Sequence, residues 1–148
     1  MGDPETLLRI LQYSVSPAAL VSAVGLLLLS AATRLGRAVD RCRALTGELS
    51  AARPEAKAAL SEQLAVTVKR AHLLRRCILC YGASLGCSFL MILLLFLRIL
   101  AGWRVDDAVI AVFALDCAAL IAGVGWFLAD LALALEALDI EVAPFLKP

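Results

Sequence analysis

The sequence predicts an all-α integral membrane protein with three transmembrane helices and a cytoplasmic antiparallel helical hairpin between helices one and two. Residues 1–148 form one multi-pass domain in this reading. Three observations carry it. First, 62% of the residues are hydrophobic and 18% charged, with a mean hydropathy of +0.89, far to the apolar side of ordinary soluble domains. Second, three stretches are apolar for long enough to cross a bilayer. Third, ten of the 14 Lys and Arg residues fall between Arg34 and Arg76, in the interval that separates the first two stretches. The net charge is only +1, which gives nucleic-acid binding no support.

Met1–Gln12 is too short and too acidic for a signal peptide and lacks a basic segment before its apolar run, so it is expected to be retained. Leu7, Leu8, Ile10 and Leu11 suit a short helix on the membrane surface, with Tyr13 at headgroup level; a loose tail fits nearly as well. The 24 residues between Arg9 and Arg34 carry no charge, and Pro17 suits a first helical turn, so span one is placed at about 16–33. At ~1.5 Å per residue it reaches ~27 Å, just enough for a ~30 Å hydrocarbon layer. Span two, 77–97, has no charge. Span three, 108–135, contains Asp116 and Asp130, while Asp106 and Asp107 suit its N-terminus as cap and dipole partners.

The segment 34–76 reads as a helical stalk. Leu35, Ala38, Cys42, Leu45 and Leu49 follow a 3/4 spacing, and so do Leu60, Leu64, Thr67 or Val68, Ala71 and Leu74, with Pro54 punctuating the middle. Two arms folded against each other satisfy both stripes. Because Lys and Arg accumulate in cytoplasmic segments, the basic stalk and the C-terminus are expected inside and the N-terminus outside a bacterial cytoplasmic membrane. Trp103 then marks the outer interface, and Trp126 and Tyr81 the inner one.

The run SPAALVSAVGLLLLSAATRLGRAVDRCRAL, the charged stalk after it and RAHLLRRCILC resemble the bacterial family catalogued as domain of unknown function 2721. The resemblance covers about Ser14 to Asp139 and rests chiefly on Ser16-Pro17, the core from Gly25 to Ser30, and Arg34, Gly36, Arg37, Asp40 and Arg41. It implies a small multi-pass membrane protein and no particular activity.

No catalytic triad, carboxylate pair, glycine-rich phosphate loop or metal-ligand set is visible. The chain is therefore read as a non-enzyme without metal or cofactor. Cys77 and Cys80 have the spacing of redox and zinc motifs but sit on the apolar entry to span two; packing is the preferred role of all five cysteines. His72 is preferred as a solvated helix position over a pH sensor.

An inner-interface charge cluster comprises Arg34, Arg37, Asp40, Arg41, Arg75, Arg76 and Asp130. It reads first as topogenic charge and second as a site for anionic lipid headgroups or the rim of an ion path. Asp40 is expected to pair within it, with Arg37 or Arg43, and Asp130 to pair with one of its arginines. Small residues Ser22, Gly25, Gly82, Gly86 and Gly123 offer close-approach faces, within one chain or between copies.

Asp116 is the intramembrane polar candidate. It is expected to face protein or water, with Ser22, Ser84, Ser88 or its own symmetry mate as partner, because lipid exposure costs ~2.5–3.5 kcal/mol. Two readings of function follow. One is a homo-oligomer forming an ion or small-solute pathway. The other is a non-transporting scaffold or insertase-like assembly factor that meets a cytoplasmic partner at its stalk, whose topology resembles the core of the Oxa-type membrane insertases.

Overall fold

A computed structural model of the chain contains three helices, α1 (Pro4–Ala51), α2 (Pro54–Ala101) and α3 (Asp106–Leu146). It describes the backbone of residues 4–101 and 106–146 and the side chains of 19–100 and 106–135; no strand occurs among the described residues. All three helices are long and apolar enough to cross a membrane: Ala19–Ala51, Pro54–Leu100 and Asp106–Leu135 qualify by length and composition. The expected roles of Leu7, Leu8, Ile10, Leu11, Tyr13 and Trp103 lie outside the described side chains, as does the C-terminal tail from Glu136.

α1 and α2 are each 48 residues long, and only Ala52 and Arg53 separate them. Pro54 explains the break. Its ring disfavours helical geometry at Arg53, while its fixed φ and missing N–H suit the first position of a new helix. The Ala56 amide donates to the Arg53 carbonyl at 3.0 Å, closing the first turn, and Glu55 lies there at the positive end of the dipole.

One feature differs from expectation. α1 already starts at Pro4, so Pro17 lies inside a helix and not in its first turn. Pro4 supplies an N-terminal start of its own, and an interior proline is better tolerated in an apolar span whose neighbours can re-satisfy the freed carbonyl. Tyr81 is 1% exposed and falls on the inward stripe of α2.

The chain divides into two compact units, Met1–Leu29 with Cys80–Ala122, and Ser30–Leu79 with Gly123–Pro148. In the first, Val24, Tyr81, Ser84, Ser88, Met91 and Asp116 are buried, while Leu26, Phe96, Leu100, Ile110 and Ile121 are among many large apolar side chains facing outward. Such a surface suits a lipid solvent and would be a liability in water.

In the second unit Ala31, Ala38, Leu45, Leu74, Cys77 and Asp130 form the core. Leu35, Cys42 and Leu49 are half-buried beside them, whereas Arg37, Arg41, Arg43 and Glu48 are exposed. On α2 the half-buried positions are Leu60, Leu64, Thr67 and Ala71; of the two residues competing for the stripe, Thr67 turns inward and Val68 is exposed. Thr67 also satisfies its hydroxyl on the Gln63 carbonyl, 2.8 Å away.

Burial follows one step on all three helices. It recurs at Val24, Ala31, Ala38 and Leu45 on α1, at Leu74, Cys77, Tyr81, Ser84, Ser88 and Met91 on α2, and at Asp116, Gly123 and Asp130 on α3. Seven-residue or alternating 3/4 steps keep one face of a helix inward along its length. Both buried aspartates therefore occupy the inward face of α3.

Two buried carboxylates as a candidate functional site

Asp116 belongs to the first unit. Ser84 and Ser88 stand one turn apart on α2 and project from the same face, toward α3. The Ser84 hydroxyl donates to Oδ1 of Asp116 and the Ser88 hydroxyl to Oδ2, the latter at 2.9 Å. All three side chains are at most 1% exposed. No lysine or arginine among the described residues pairs with this carboxylate. Among the described residues the neighbourhood of Asp116 is therefore buried and polar, with hydroxyls in place of a paired cation.

Asp130 belongs to the second unit and has the opposite surroundings. It is 0% exposed; Arg34 of α1 reaches Oδ2 through Nη1 at 3.0 Å, and Arg70 of α2 reaches Oδ1 through Nε at 3.1 Å. Arg34 also lies over the Phe127 ring at 5.0 Å, one turn of α3 away. Arg34 precedes the Ala52–Arg53 break by about as many residues as Arg70 follows it, so their meeting on one carboxylate fixes the two arms antiparallel.

The other members of the charge cluster do not join this centre. Arg37 and Arg75 are exposed, Arg41 is 3.8 Å from Glu48, and Asp40 is 3.8 Å from Arg43 with both side chains well exposed. Such pairs contribute little. Arg76 stacks over the Trp126 ring at 5.1 Å. Arg70, absent from the predicted cluster, is the residue that sequence reasoning missed. The signal was present: Arg34 lies one turn from both Ala31 and Ala38, and Arg70 one turn from both Thr67 and Leu74, so each continues the inward stripe of its helix.

Of the small residues, Gly123 is buried, Gly25 half-buried, and Ser22, Gly82 and Gly86 exposed. A Cβ added at Gly25, Gly82 or Gly86 would meet nothing within 4 Å, so these three make no close helix approach within the chain. Cys77 is buried and all five cysteines are free. His72 is exposed. Among the described residues no cluster of three or more His, Cys, Asp or Glu could hold a metal ion.

Three apolar helices of spanning length, with a buried carboxylate satisfied by hydroxyls and another by arginines, define a small helical protein of membrane character. The family model described as "Protein of unknown function (DUF2721)" matches residues 14–140, and the chain belongs to that family. No curated protein and no solved structure matches it.

Proposed function

We propose that the protein is an integral membrane protein of the bacterial cytoplasmic membrane that forms, as a homo-oligomer, a pathway for protons or small cations, with Asp116 as the ion-binding group. The N-terminus is outside, and the α1–α2 hairpin and the C-terminus are cytoplasmic. Its role is not enzymatic. The supporting observation is the Ser84–Asp116–Ser88 triad: a buried carboxylate on an apolar helix, held by two hydroxyls and, among the described residues, by no cation. Maintaining an ionisable group at such a position costs several kcal/mol unless it is neutralised, and a reversible proton or cation is the neutralising agent that also has a use.

Cation or proton flux into liposomes, measured for wild type and Asp116→Asn with oligomeric state followed in parallel, tests this. Asn keeps the hydrogen bonds and cannot ionise, so flux should be lost with the assembly intact. Equal flux in both, or none in either, would overturn the pathway reading. The orientation is checked separately on a cysteine-free background: Ser50→Cys should resist labelling in intact cells while Gly102→Cys reacts.

The second reading, a scaffold or insertase-like factor that recruits a cytoplasmic partner, is favoured by one feature. The arms of the hairpin are locked by Arg34, Asp130 and Arg70 while their tip, Arg53–Ala59, is exposed throughout. Replacing the tip by a short linker should leave flux unchanged if the pathway reading holds.

A further inference from the structure

Asp130 is over-neutralised. One carboxylate carries two guanidiniums, so the centre holds a net positive charge that no second carboxylate among the described residues pairs with. An unbalanced charge beside a buried group is expensive, and the expense falls if an anion can reach it. Both arginine side chains keep access to the outside, Arg34 at 30% and Arg70 at 29%.

The unused donors are well placed. Arg70 bonds Asp130 through Nε and retains both Nη groups; Arg34 bonds through Nη1 and retains Nη2 and Nε. Both guanidiniums rest on the two oxygens of one carboxylate, which brings their remaining N–H groups to the same centre. An anion of charge −1 with two or more acceptor oxygens would neutralise the centre and occupy both forks, and phosphate oxygens match that planar geometry.

We propose that the Arg34–Asp130–Arg70 centre binds the phosphodiester of an anionic phospholipid headgroup. This rests on the membrane placement given above and not on the ion pathway. A lipid is favoured over a soluble phosphate by what surrounds the centre. Arg34 ends the long uncharged run of α1, where a membrane span meets water. Trp126 and the Arg76 stacked on it form the aromatic and cationic pair of a headgroup layer. Leu79 and Leu128, 62% and 56% exposed in the same unit, give acyl chains an apolar face.

The test uses the full-length protein released from mixed micelles and read by native mass spectrometry, with phosphatidylglycerol titrated against phosphatidylcholine. The two share a phosphodiester but only the first carries net negative charge. Wild type should retain phosphatidylglycerol about tenfold better, and Arg70→Gln should lose about that factor, the worth of one charge-assisted hydrogen bond. Arg37→Gln, which removes an exposed charge of the same helix pair, should change retention by less than about twofold. Should Arg70→Gln fail to fold, Arg70→Lys keeps the ion pair with Asp130 but loses the planar fork, and a drop in retention at unchanged helicity supports the site. Equal losses in Arg37→Gln and Arg70→Gln would mean diffuse topogenic charge and overturn the proposal. So would a wild type indifferent to headgroup charge, or displacement of the lipid by millimolar inorganic phosphate. Flux through Asp116 is a separate readout, so this proposal and the pathway reading can fail independently.

Discussion

Asp116 and Asp130 are both buried aspartates of α3, yet one is met by hydroxyls and the other by guanidiniums. The difference follows from what α2 and α1 carry at the facing step. In the first unit the inward stripe of α2 bears Tyr81, Ser84 and Ser88, too short or too weakly polar to supply a counter-charge. In the second, the stripes bear Arg34 and Arg70, whose long apolar stems let a charged head reach inward while part of it stays accessible. Among the described residues Asp116 is held by hydroxyls alone, whereas Asp130 ties α1 and α2 to α3 through two arginines.

The largest expected effect asks whether the second unit depends on its carboxylate or on its apolar seam. Leu45, 1% exposed, should be indispensable: Leu45→Asp removes a buried side chain and puts a carboxylate into the apolar seam, a loss of about 4 kcal/mol. Hydrogen exchange should then accelerate from Leu35 to Leu74, and unchanged protection would show that the arms do not depend on this seam.

Asp130→Asn comes next, at about 3 kcal/mol, toward the lower end of the cost of breaking a buried pair because its arginines are partly exposed. Denaturant titration in micelles measures it. Substituting Asp130, Arg34 and Arg70 together by apolar residues of similar volume should recover most of that loss, since the penalty comes from the unpaired charges.

Asp116→Asn should cost about 1 kcal/mol or less, because the amide still accepts from one serine and donates to the other. A loss as large as that of Asp130→Asn would erase the distinction between the two centres. The smallest effect serves as the control: Asp40→Ala removes an exposed pair with Arg43 and should shift stability by less than about 0.5 kcal/mol.

What the sequence determined by itself was everything that depends on length, composition and period. The three apolar stretches, the continuation of span one into a charged arm, the break at Pro54 and the inward stripe from Leu35 to Leu49 are local properties, encoded in residues near one another along the chain. Depth along helices of known rise brings Asp116 level with the hydroxyls of Ser22, Ser84 and Ser88, and Asp130 level with the arginines of the charge cluster without singling one out. Depth does not specify rotation. Which of two adjacent residues, Thr67 or Val68, turns inward depends on how each helix is rolled about its axis, and that is decided by packing against neighbouring helices. Tertiary structure therefore selected Arg70 over Arg37 and Arg41 as the second partner of Asp130. It also drew Tyr81 into the core and left open space, among the described residues, where a Cβ at Gly82 or Gly86 would stand.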